Sequence, residues 1–104
     1  VESEVGRDGK LTKAEIIEII HPEVDISKKH IHQVLGLFFD AVKAGLLDRQ
    51  TIELRGFGTF EIRVRKGRKA RNPKTGASVE VGDHGVVAFR PGQELKKRAW
   101  QIRE

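Results

Sequence analysis

The chain has 104 residues, no cysteine and a formal net charge of +5. That length gives one domain with a modest core, and the missing thiols exclude disulfides, thiolate metal sites and a cysteine nucleophile. No apolar run reaches the roughly 18 residues that a membrane-spanning helix needs. Residues 1–10 are polar and lack an apolar stretch, so they are expected to form a disordered tail or an appended remnant rather than a secretory signal.

The first helix is expected to start at Thr12. Thr12-Lys13-Ala14-Glu15 spells a capping box, in which the hydroxyl accepts from the third helical amide and the Glu reaches back to the cap. Ile16, Ile17, Ile19 and Ile20 supply its apolar face, and Pro22 ends it by driving the preceding residue out of the helical region. A second helix is expected from Ser27 to about Leu47. At helical periodicity Ile31, Val34, Leu35, Phe38, Phe39, Val42 and Leu46 fall on one core face of roughly 140°. Leu37, Ala41 and Ala44 widen the apolar arc to roughly 220°. A surface helix needs a stripe only somewhat over about 100° wide, so the excess points to burial against a second chain.

After Asp48 the apolar period drops to two. Thr51 to Arg55 and Thr59 to Arg65 read as strands joined at Gly56-Phe57-Gly58, with Phe57, Phe60 and Ile62 facing the core. Beyond Val64 the apolar signal stops and charge takes over. Residues 63–76 carry Arg63, Arg65, Lys66, Arg68, Lys69, Arg71 and Lys74, seven cations without one acid, which leaves the rest of the chain at −2. A cluster of this kind focuses its field on polyanions and binds them by releasing counterions.

Arg71-Asn72-Pro73-Lys74-Thr75-Gly76 is a run of turn formers, and alternation resumes at Ser78-Val79-Glu80-Val81. Two strands therefore leave the body, meet near the turn and return, an arm spanning about residues 64–82. Isolated two-stranded ribbons are marginal in water, so the arm is expected to be mobile until a ligand orders it. Val86 to Phe89 read as a buried strand ended by Pro91 and Gly92, and Gln93 to Ile102 as a short basic helix.

The order helix, helix, hairpin, basic arm, strand, helix resembles the HU and integration host factor family of bacterial DNA-bending nucleoid proteins. Leu11-Thr12-Lys13-Ala14-Glu15, Leu37-Phe38-Phe39, Gly56-Phe57-Gly58-Thr59-Phe60, Gly67, Arg71-Asn72-Pro73-Lys74-Thr75-Gly76 and Phe89-Arg90-Pro91-Gly92 carry the resemblance over residues 11 to about 100. Phe89-Arg90-Pro91-Gly92-Gln93 and Arg55-Gly56-Phe57-Gly58 are closer to integration host factor than to HU. The resemblance implies an α+β fold: an intertwined dimer with two N-terminal helices, a three-stranded antiparallel sheet extended into a protruding β-ribbon arm, and a short C-terminal helix. It implies one domain over residues 11–104, a nucleoid-associated and cytoplasmic setting, and double-stranded DNA as the partner. Family members wrap their arms into the minor groove, and the tip proline that wedges between base pairs corresponds to Pro73.

The residue types suit that task. Cations along the ribbon (Arg63, Arg65, Lys66, Arg68, Lys69, Arg71, Lys74) neutralise phosphates, while Asn72, Thr75 and Gly76 shape the tip beside Pro73. Proline is a rigid, apolar ring without a backbone donor, fit to fill an opened base step. On the body Thr12 and Lys13 at one helix start, Gly92 and Lys96 at another, Arg55, Gly56 and Gly58 in the turn, and Arg90 are candidates to hold flanking DNA through open amides and charge.

Other signals are weaker. His30 and His32 lie two apart on a helix and face different ways, so no metal is expected. No nucleophile–base pair or phosphate-binding loop is visible, so no enzyme, cofactor, small-molecule substrate or membrane association is expected. Trp100 reads as a packing residue. An RNA or single-strand binder would want aromatic platforms on the arm, and none stands between Phe60 and Phe89. A basic module gripping an acidic protein is the other alternative. A homodimer is expected, with a heterodimer as the alternative.

Overall fold

The computed structural model describes residues 9–103. The reading of residues 1–10 as a tail therefore lies almost wholly outside the described residues. The chain divides after Ala41 into two compact units.

In the first unit, helix α1 spans Lys13–Ile20 and a 3-10 turn follows at His21–Glu23. Contrary to expectation His21 stays helical at φ −53° and ψ −43°, because Pro22 fits the first turn of the 3-10 helix, and the chain turns extended only at Val24. The capping box is present. The Thr12 hydroxyl accepts from the Glu15 amide at 3.3 Å, and the Thr12 amide donates back to the Glu15 carboxylate at 2.9 Å. Helix α2 spans Lys28–Leu47 and starts where the Ser27 hydroxyl accepts from the His30 amide at 3.2 Å. Ile17 and Ile31 are buried, and a Lys28–Glu18 ion pair of 2.9 Å links the two helices at the surface.

The second unit takes in the last turns of α2 and the remaining elements. Strands β1 (Ile52–Leu54), β2 (Gly58–Arg65) and β5 (His84–Pro91) form an antiparallel sheet in the order β1-β2-β5. Strands β3 (Arg68–Arg71) and β4 (Ser78–Val81) pair separately as a ribbon. Helix α3 spans Gln93–Trp100. Gly45 admits Ile52 against the end of α2, since a side chain there would lie 2.7 Å from the Ile52 methyl. Leu46 is buried in the same turn. The register Phe60↔Phe89 stacks the sheet's aromatic face. Its rings lie 4.7 Å apart, and Phe57 joins at 5.3 Å from Phe89.

Burial departs from expectation. The strand over Val86 to Phe89 exists, but Val87 is 62% exposed, and Val34, Phe38 and Phe39 on the anticipated core face of α2 are exposed too. Leu37 and Leu47 reach 63% and 82%, and Trp100, read as a packing residue, reaches 78%. A single chain of this length has too few elements to cover two faces of α2 and one face of a sheet. Exposed apolar side chains in such number mark a face that another chain covers. Among the described residues no helix is long and apolar enough to cross a membrane.

Candidate nucleic-acid interface

The arm begins where the body sheet ends. The β2–β5 ladder closes at Arg65↔His84, and the β3–β4 ladder opens at Arg68↔Val81. Between them Lys66-Gly67 and Gly82-Asp83 interrupt both strands. The Gly67 amide donates to the Asp83 carboxylate at 2.6 Å, and a side chain at Gly67 would strike the Val81 carbonyl. The sequence suggests one continuous ribbon over 64–82, whereas the structure divides it here. Two glycines facing each other across the strands are the signal that was available.

Along the ribbon, opposed residues share a face. Lys69↔Glu80 and Arg71↔Ser78 make a polar face, while Arg68↔Val81 and Ala70↔Val79 make a mixed one. The tip is shaped by its own side chains. The Asn72 side-chain oxygen accepts from the Lys74 amide at 2.8 Å, and the Thr75 hydroxyl accepts from the Ala77 amide at 3.2 Å. The Gly76 amide donates to the Asn72 carbonyl at 2.7 Å, with Gly76 at a φ of +75° that strongly favours glycine. Pro73 sits inside this turn, and every residue from Arg71 to Glu80 is exposed. Arg63, Arg65, Lys66, Arg68, Lys69, Arg71 and Lys74 are all exposed as well, so the structure gathers the arm candidates onto one accessible ribbon and its root.

The body candidates separate into types. Arg55 is exposed in the turn closed by the Phe57 amide on the Leu54 carbonyl at 2.9 Å, with Gly56 at a φ of +86° and open space around it. Gly58 differs. It is buried, and a side chain there would lie 2.5 Å from the Phe89 ring, so its smallness serves packing rather than an open amide. The Gly92 amide is already donated to the Phe57 carbonyl at 2.8 Å, which fixes the start of α3 beside the turn, and Lys96 is exposed on the first turns of α3. Thr12 and Lys13 belong to the N-terminal unit. Thr12 is engaged in its cap, and the Lys13 ammonium lies 5.9 Å from the Phe39 ring centre.

Arg90 joins Arg63 around a residue the sequence reading missed. The Glu61 carboxylate accepts from the Arg63 Nε at 2.7 Å and lies 3.9 Å from the Arg90 Nε. The hydrogen bond from Arg63, aided by the charges of Arg63 and Arg90, holds the Glu61 carboxyl below its ordinary range against a smaller opposing effect of desolvation. An acid two residues before an arginine on an alternating strand was the legible hint.

A compact sheet carrying an exposed, acid-poor ribbon of cations defines a protein built to grip a polyanion along its length. Residues 11–99 match the family model described as "Bacterial DNA-binding protein". Integration host factor subunit alpha of Marinomonas sp. (strain MWYL1) is 43% identical over 90 residues, which is 86% of this chain and 92% of that protein. The same subunit of Pseudomonas fluorescens (strain SBW25) is 41% identical over 90 residues, 86% of this chain and 90% of that protein. Among solved structures, HU of Anabaena in a cocrystal with DNA superposes with a TM-score of 0.81 at 28% identity, covering 88% of this chain and all of that one. The chain belongs to the bacterial DNA-binding protein family. It is an architectural protein that binds double-stranded DNA, of a family that forms dimers.

Proposed function

We propose that this chain grips duplex DNA with two arms, one from each subunit of a dimer, and bends it by inserting Pro73 at a base step in the minor groove. The observation that carries this reading is the ribbon of residues 63–76, seven cations and no acid, exposed throughout its tip and ending in a proline turn braced by Asn72 and Thr75. Cations that track the groove neutralise phosphates, and an apolar wedge compensates for lost stacking at a kink.

Arg63, Arg65, Lys66, Arg68, Lys69, Arg71 and Lys74 line the path, with Asn72, Thr75 and Gly76 framing the wedge. Lys13, Arg55, Gly56, Arg90 and Lys96 hold the flanking duplex, while Thr12 caps the helix that carries Lys13 and Gly92 fixes the start of the helix that carries Lys96. Gly58 supports them by letting Phe89 pack. The uncovered apolar surface of α2 and β5 is the subunit interface. The cellular setting is the nucleoid, and the role is mechanical, with no reaction catalysed.

Smooth bending of a site of 20–30 base pairs costs about 1–6 kcal/mol, so wedges and phosphate contacts together must exceed that. Pro73→Ala removes the wedge and leaves the charge. In a duplex labelled at both ends, energy transfer should report a clearly smaller bend for the variant, while its affinity for straight duplex stays within about threefold of wild type (about 0.7 kcal/mol). An unchanged bend angle would overturn the wedge.

A further inference from the structure

Glu61 is an acid on the sheet face that also presents Arg63 and Arg90. Glu61 and Arg63 stand two apart on β2 and so share a face. Arg90 pairs with Thr59 and Glu61 with Ala88, which makes Arg90 a diagonal neighbour of Glu61 across the ladder. Long side chains span that diagonal. The Glu61 side chain is 22% exposed, against 53% for Arg63 and 61% for Arg90. Arg63 donates a hydrogen bond to the carboxylate through Nε at 2.7 Å, while the Arg90 Nε stands 3.9 Å away, an ion-pair distance without a hydrogen bond. Among the described residues, the terminal nitrogens of both guanidiniums have no protein partner.

We propose that Glu61 is a positioning residue: it anchors Arg63 by its inner nitrogen, draws Arg90 to the same spot by charge, and leaves both terminal forks free to close on consecutive phosphates of the duplex backbone. The inference rests on the DNA-binding reading above and deepens it. Arginine has five donors in a rigid plane, and a fork of two of them fits a phosphate. Held at Nε, the Arg63 side chain enters the complex with part of its rotamer freedom already spent, so less ordering remains to oppose binding, and Arg90 is biased toward the same place by the shared charge. Repulsion between the carboxylate and DNA acts the other way. It is screened by salt over about 8 Å at physiological ionic strength, and two arginines stand paired with that charge. Positioning therefore outweighs repulsion.

The two effects have opposite signs, which makes the test direct. Wild type, Glu61→Ala, Glu61→Gln and the Arg63→Ala/Arg90→Ala pair are titrated against a fluorescein-labelled duplex at several salt concentrations. Glu61→Ala should bind about fivefold more weakly, with a shallower dependence of log K on log salt, because phosphate contacts become looser. Glu61→Gln keeps an acceptor oxygen and should lose no more than about twofold. Added to the double arginine variant, Glu61→Ala should change nothing further, since its effect runs through those two side chains.

Equal or tighter binding by Glu61→Ala overturns the proposal, as does a loss that persists without the arginines. Should Glu61→Ala not fold, Arg63→Lys decides. It keeps the charge but lacks the fork, and wild-type affinity and slope in that variant would overturn the proposal. Wild-type protein without salt-sensitive duplex binding would instead overturn the function on which the inference stands.

Discussion

The body sheet and the arm ribbon are both antiparallel ladders from the same stretch of chain, yet they are held by different things. In β2 and β5 one face carries Phe60, Ile62 and Phe89, and the rings of Phe60 and Phe89 stack together and with Phe57. In β3 and β4 the apolar side chains are Ala70, Val79 and Val81, with Val79 exposed. Backbone pairing alone leaves a two-stranded ribbon marginal. The body is fixed by contacts among its aromatic rings, the arm has none, and we propose that a ligand supplies the order the arm lacks. A protein that must close around DNA needs that division: a rigid seat and a finger whose order depends on contact.

The comparison can be broken at either end. The largest effect should come from neutralising the arm. Replacing Arg68, Lys69, Arg71 and Lys74 together with Ala should lower duplex affinity by roughly 100-fold or more near physiological salt and reduce the slope of log K against log salt by roughly 3 to 4. The unfolding temperature should barely move. A large drop in that temperature would show that the arm is structural after all.

Next comes truncation in the body. Phe60→Ala should cost about 3 kcal/mol in urea unfolding, whereas Val79→Ala on the arm should cost less than about 0.5 kcal/mol. Similar values for the two would erase the distinction between seat and finger.

Gly58→Ala should cost about 1–3 kcal/mol, because its methyl would meet the Phe89 ring at 2.5 Å and the Arg90 carbonyl at 2.6 Å. Its bend angle, measured below the transition, should stay that of wild type. The smallest effect concerns the end of α2, where Arg49 takes a φ of 61°. The Arg49 amide returns to the Leu46 carbonyl at 2.9 Å and the Gln50 amide to the Gly45 carbonyl at 3.0 Å, a helix stop that glycine fills without strain. Arg49→Gly should raise stability by about 0.5–1 kcal/mol in the same urea experiment, with DNA binding unchanged.

Much of this could be read from local chemistry. The cap at Thr12 and Glu15, the turn at Gly56 and the tip at Asn72 to Gly76 each depend on a few neighbouring residues whose preferred geometry is intrinsic. The arm was legible because charge replaces apolar alternation at Val64. The candidate site was legible as far as its cations reach, and less so where function depends on contacts between strands. Glu61 bears on Arg90 only once β5 is laid beside β2. Gly58 looks like an open turn residue until the Phe89 ring covers it. The break between body and arm requires Gly67 and Asp83 to meet across sixteen residues of chain.

The sequence by itself determined the elements, their order, the basic arm and its proline tip, because capping, periodicity and turn propensity act over a few residues and need no partner. Tertiary structure decided the rest. It set the strand register that gathers Glu61, Arg63 and Arg90, the packing that makes Gly58 a core residue, and the division of the ribbon at Gly67 and Asp83. It also left the faces of α2 and β5 uncovered, where periodicity alone had placed core. Which side chain meets which, and which meets none, depends on chain segments far apart in sequence, and local propensity carries no record of that distance.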